Sequence, residues 1–243
     1  MSAVSMAEYL ILKATGQDQV LHDSRYAQTI IRSAYAAPRR AFRAYNTDPL
    51  RPISTLHKVK NSLLTKSVDP KLTAKQQDRH LRDTELIDLF LLREQALGLR
   101  NLPLSKMPKL DSIDIEGVAL SVQPDFLIET PSGKIGSLIL RVTKAPDPDA
   151  CKRTATKEER GEHRRELARY LIAMQEMALS AQPQWNGKVD RSLIFVSDIR
   201  LGEQIVTAKD HAARLREISA AARQVKRQWN SIPPNPRLFA KEA

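Results

Sequence analysis

The sequence predicts an α/β fold: a mixed central β-sheet flanked by helices, with a helical extension at the N-terminal side. Three observations predict it. Helical periodicity runs through most of the chain before Gly98, and from Ile113 the apolar residues alternate instead. Short apolar runs then follow at 126–129 and 135–144. A long amphipathic stretch separates them from one further apolar run, Leu193-Ile-Phe-Val196. Successive strands, a crossover helix and a returning strand give a mixed sheet with helices against it.

The elements follow in order. Asp23 or Ser24 caps a helix through Tyr26, Ile30, Ile31 and Ala34, which Pro38 interrupts and which restarts through Phe42 and Tyr45. Leu56, Val59, Leu63 and Leu64 mark a second helix over 54–66. Thr73 and Gln76 have the spacing of a capping box, opening a helix to about Leu97, with Gly98 as its stop. The segment 101–110, with Pro103 and Pro108, reads as a connector. Ile113, Ile115, Val118, Leu120 and Val122 make two short strands around a turn at Glu116-Gly117. Strands over 126–129 and 135–144 flank the turn residues Pro131 to Lys134. Thr156, with Glu159 three residues on, fits another capping box and opens a helix to about Gln182. A strand over 192–197, a short strand at 204–207 and a helix over 209–230 complete the pattern. The chain divides into a helical region at 1–72, a core at 73–232 and a Pro-rich, extended tail at 233–243.

The charge balance narrows the partners. Thirty-nine Lys and Arg against 28 Asp and Glu leave a net charge of +11 in 243 residues, which favours a polyanion, nucleic acid first. Aromatics are only 5%, too few for broad base-stacking platforms. The lone Cys151 rules out an internal disulfide and an iron–sulfur cluster, and suits a reducing cytoplasm. No apolar run is long enough for a signal peptide or a membrane span. The five histidines lack zinc-site spacing, and no Gly-rich phosphate loop occurs.

Chemistry concentrates in the middle of the chain. Pro124-Asp125 stands at the start of one strand, and Lys144 ends the next. Carboxylates that hold Mg²⁺, with a lysine beside the attacking water, are what phosphodiester hydrolysis requires. The order of elements and these residues resemble the PD-(D/E)xK nuclease superfamily, which has a restriction-endonuclease-like core. The RecB-like branch is the nearest in flavour, because Glu166 and Tyr170 reproduce the spacing of its Gln-xxx-Tyr helix. The resemblance covers roughly residues 74–200 and implies a Mg²⁺- or Mn²⁺-dependent deoxyribonuclease. It assigns Lys144, Asp125 and Glu85 as catalytic, and Asp125 and Glu85 as metal ligands. The residue two before Lys144 should be acidic and is Val142. Glu162 or Glu166 on the following helix would then supply the missing ligand. The alternative is a catalytically inactive nuclease-like module that binds nucleic acid or a partner protein.

DNA contact is expected from Lys152, Arg153, Lys157, Arg160, Arg164 and Tyr170 on and before the long helix. Arg39, Arg40 and Arg43 form a second basic cluster. Each residue also has a plainer reading. Pro-Asp pairs are common in turns, strand-end lysines are ordinarily solvated, and the glutamates interleaved with the basic helix suit an exposed face. A homodimer or a protein partner is left open.

Overall fold

The computed structural model describes residues 1–26 and 35–233. Four helices come first: α1 (Ala3–Ile11), α2 (Ala14–Tyr26), α3 (Ala36–Thr47) and α4 (Ser54–Ser67). Helix α1 was not anticipated. Its signal is Ser2, whose Oγ accepts from the Ser5 N–H at 3.0 Å as an N-cap. Helix α2 begins nine residues before the expected cap at Asp23. Its expected continuation through Ile30, Ile31 and Ala34 lies outside the described residues. Helix α5 (Ala74–Arg93) starts as the sequence predicts, with the Thr73–Gln76 capping box formed in both directions.

The sheet has five strands in the order β1 (Leu104–Lys106), β4 (Phe126–Glu129), β5 (Ile135–Arg141), β6 (Val189–Asp198) and β7 (Glu203–Ile205). Only the β5–β6 pair is parallel. The 27-residue helix α6 (Thr154–Ser180) makes the crossover between them. The predicted hairpin forms as β2 (Ile113–Ile115) and β3 (Val118–Leu120), but as a separate two-stranded sheet. The edge position beside β4 belongs to β1, which arises from the expected connector. Three residues with one inward Leu104 are too few to display a period. The expected capping box at Thr156 and Glu159 does not form either, because α6 begins at Thr154 after Arg153.

Two apolar clusters form on opposite faces of the sheet. Ile135, Ile194 and Val196 face α1, α6 and α7 (His211–Trp229). Phe126, Ile128, Leu138, Leu140 and Phe195 face α3, α4 and α5. The period-two alternation along β5 and β6 sends neighbouring residues to different clusters. The helices before residue 73 are therefore part of the packing: α1 lies on α6, and α3 on β1. At Gly136 the β5 and β6 backbones approach so closely that a Cβ would stand 2.1 Å from the Leu193 carbonyl oxygen. Among the described residues no helix is long and apolar enough to cross a membrane. The expected Pro-rich tail lies outside them beyond Pro233.

Candidate functional site

The carboxyl ends of β5 and β6 lie side by side, with Arg141 opposite Asp198. Ligand sites of α/β folds are commonly built at such an edge. Here its centre is filled by an internal ion network. Asp198, fully buried, accepts from Arg164 Nε and Nη2 at 2.8 Å each and from Arg141 Nη1 at 3.1 Å. The backbone N–H groups of Arg200 and Leu201 add bonds at 2.9 and 3.1 Å. Arg164 also donates to the carbonyls of Thr143, Lys144 and Pro146 at 2.8–3.2 Å. Arg164, expected on the DNA-binding surface, is thus wholly buried and fixes the loop after β5. A guanidinium carries five N–H donors in a planar fork, which suits it to gathering several carbonyls and one carboxylate. Burial, then the neighbouring Arg164, holds the Arg141 guanidinium down to about 10, despite Asp198. The sequence reading did not single out Asp198. Its only signal was an acid ending an apolar strand.

Strand β5 ends at Arg141, so Lys144 lies in the pinned loop beyond it, not in the strand. Its side chain is exposed. Lys152, Arg153 and Lys157 are also exposed at the start of α6. None of these four cations pairs with a carboxylate among the described residues. Arg160 turns inward and donates to the Asp147 carbonyl at 2.9 Å. Tyr170 is buried, its hydroxyl donating to Glu217 at 2.6 Å, and burial with that carboxylate pushes its phenol well above the usual range.

Asp125 sits at the same edge, because β4 runs antiparallel to β5 and its first residue, Phe126, pairs with Leu138. The carboxylate is 4% exposed and already occupied. Arg43 donates to Oδ1 from Nε at 3.0 Å and from Nη2 at 2.7 Å, and the Leu140 N–H donates to Oδ2 at 2.8 Å. Arg39 Nε stands 3.6 Å from the same Oδ1 and has no hydrogen-bond partner of its own. Val142 is buried in the cluster beneath α3.

The other expected ligands are elsewhere. Glu85 is exposed on α5, while its neighbour Asp83 is the buried acid of that helix. Glu162 pairs with Arg169 at 2.6 Å, which with Arg165 holds its carboxyl below the usual range. Glu166 pairs with Arg169 at 3.1 Å and Arg214 at 2.8 Å. Both glutamates belong to α6, on the opposite face of the sheet from α3 and its Asp125 contacts. The structure does not bring Glu85, Asp125, Glu162 and Glu166 to one point. Among the described residues no three His, Cys, Asp or Glu side chains gather as a metal site would require. Mg²⁺ favours several oxygen ligands in octahedral array. One arginine-bound carboxylate beside an apolar Val142 does not fit it.

His163 lies close to Arg141 and Arg164, and burial followed by these two cations lowers its pKa against the pull of Glu159. Both influences favour the neutral imidazole. Glu8 of α1 is raised by burial and partly lowered again by Arg141. Helix α1 thus brings a carboxyl to the excess positive charge of the network.

No model of a known protein family matches this chain, and a search of curated proteins likewise finds no match.

Proposed function

We propose that this chain is a non-hydrolysing module with a nuclease-like, restriction-endonuclease-like core, which binds the phosphate backbone of nucleic acid at the carboxyl edge of β5 and β6. The observation that carries the reading is the engagement of Asp125 by Arg43 and the Leu140 N–H. A carboxylate so held is neutralised for metal binding, and the edge it belongs to becomes cationic. The order α5, β1, β4, β5, α6, β6, with one parallel pair, supports the nuclease-like ancestry that the resemblance implies. Lys144, Lys152, Arg153 and Lys157 supply solvent-facing charge at that edge, in keeping with the net charge of +11. Such side chains neutralise phosphates and release counterions without reading bases.

Binding of a labelled DNA duplex, followed by anisotropy as salt rises, tests the proposal alongside a cleavage assay in Mg²⁺ and Mn²⁺. The expected result is salt-sensitive binding without cleavage. Asp125→Asn should keep or strengthen binding, because it releases Arg43 and Arg39 towards phosphate. Metal-dependent cleavage that disappears in both Asp125→Ala and Lys144→Ala would overturn the reading in favour of an active nuclease.

A further inference from the structure

A cavity lies away from that edge, between α3, α4 and α5. It has a volume of about 260 Å³, and its walls include Arg40, Lys66, Arg79, His80 and Asp83. Asp83 is only 5% exposed. Among the described residues it forms no hydrogen bond and no ion pair. Burial pushes its carboxyl above the usual range, and nearby Arg79 and His80 only partly offset this. His80 Nδ1 is also buried without a partner. Buried polar groups in folded proteins are nearly always satisfied, so the unpaired His80 Nδ1, with the unpaired Asp83 carboxylate opening into the same cavity, points to a ligand there. The cavity adjoins a mainly apolar trough of about 450 Å³ between α3 and α4, which shares Ala37, Arg40, Leu63 and Lys66 with it. Together they reach the size range of small-molecule sites.

The lining selects the ligand class. Two permanent cations without a carboxylate partner among the described residues, Arg40 and Lys66, face one carboxyl, so the ligand is anionic overall, and an ammonium or guanidinium group is disfavoured. Asp83 nevertheless needs a hydrogen-bond donor. A neutral edge with two N–H donors meets both conditions, and guanine carries such an edge at N1 and N2. Its phosphate would pair with Arg40 and Lys66, and its flat base would lie between Ala37 and Leu63.

We propose that this cavity binds a phosphorylated guanosine, its base edge on Asp83 and its phosphate on Arg40 and Lys66. The nucleotide is either free or the end of a strand. The site does not depend on the backbone-binding edge.

Calorimetric titration of the full chain tests it with GMP, AMP, inorganic phosphate, and two single-stranded oligonucleotides beginning with 5′-phosphorylated guanosine or adenosine. The expected result is at least about tenfold preference for guanine over adenine, as for sites built around a substrate donor. Asp83→Asn should erase the preference. Lys66→Glu, at an exposed position that need not disturb folding, should weaken both nucleotides. Preference seen with GMP identifies a free nucleotide, and preference confined to the oligonucleotides identifies a strand end. Lys152→Glu should leave GMP binding and the guanine preference unchanged, which separates this site from the edge. Absence of guanine preference in both formats, or its survival in Asp83→Asn, overturns the proposal.

Discussion

Asp83 and Asp198 are both withdrawn from water, and their surroundings treat them in opposite ways. Asp198 accepts from two guanidinium groups and two backbone N–H groups. Asn at position 198 would leave Arg141 and Arg164 buried without their counter-charge. Asp198→Asn is expected to cost about 3–5 kcal/mol in urea unfolding, the usual penalty for breaking a buried pair from one side. Asp83 accepts no hydrogen bond among the described residues, and nearby Arg79 and His80 offset its burial only in part. Its folded-state pKa is raised, so between its unfolded and folded values the native state holds more protons than the unfolded chain. Stability from this group is present at acidic pH and declines as pH rises through the folded value. Asp83→Asn removes that decline without changing shape. At neutral pH, with no nucleotide present, the variant is expected to melt roughly 2–4 °C higher. A lower melting temperature would mean that Asp83 has a partner which stabilises it.

At the scale of the element, two sites report on why the strands and helices stand where they do. The capping box of α5 was legible because Thr73 and Gln76 carry their signal in three residues of spacing. Thr73→Ala is expected to cost about 1 kcal/mol in chemical denaturation. Gly136 carried no such signal. A glycine inside an apolar run looks like a weakness, and only the neighbouring strand shows that no side chain fits. Gly136→Ala is expected to destabilise by about 1–3 kcal/mol, as overpacking does, and unchanged stability would mean that β6 can retreat. The same contrast governs legibility in general. Helices α4, α5, α6 and α7 and strands β4, β5 and β6 were visible because each carries its own period. Strand β1, three residues long, exists only through its pairing with β4. Helix α1 hid behind a short apolar run because its inward face, with Met6, Ala7 and Tyr9, is defined by α6.

The candidate site shows this limit at the scale of the whole molecule. Asp125, Lys144 and the basic start of α6 were readable in the sequence, and the structure does set them at one edge of the sheet. What sequence could not tell was which partner each side chain would take. Arg43 lies 82 positions from Asp125, and Arg164 lies 34 from Asp198. Only the closed fold decides that one pair neutralises the expected metal carboxylate and that the other buries an expected DNA contact. The exposed cations that remain lead to a quantitative expectation. Charge reversal of Lys152, Arg153 or Lys157 should each weaken duplex binding uniformly across sequences. Each should also reduce the slope of log affinity against log salt by about one. Loss of affinity for selected sequences only would instead indicate base readout.

The two apolar clusters share one wall, and this has a consequence for how the molecule opens. Strand β5 contributes Leu138 and Leu140 to one cluster and Ile135 to the other, and it hydrogen-bonds to β4 and β6. The β5 amides are therefore bonded to strands on both sides and covered on both faces, so loss of one helical layer alone does not free them. In amide hydrogen exchange, the terminal helices and the β2–β3 hairpin should release protection through local fluctuations. The central amides of β5 and β6 should exchange only when the entire chain unfolds.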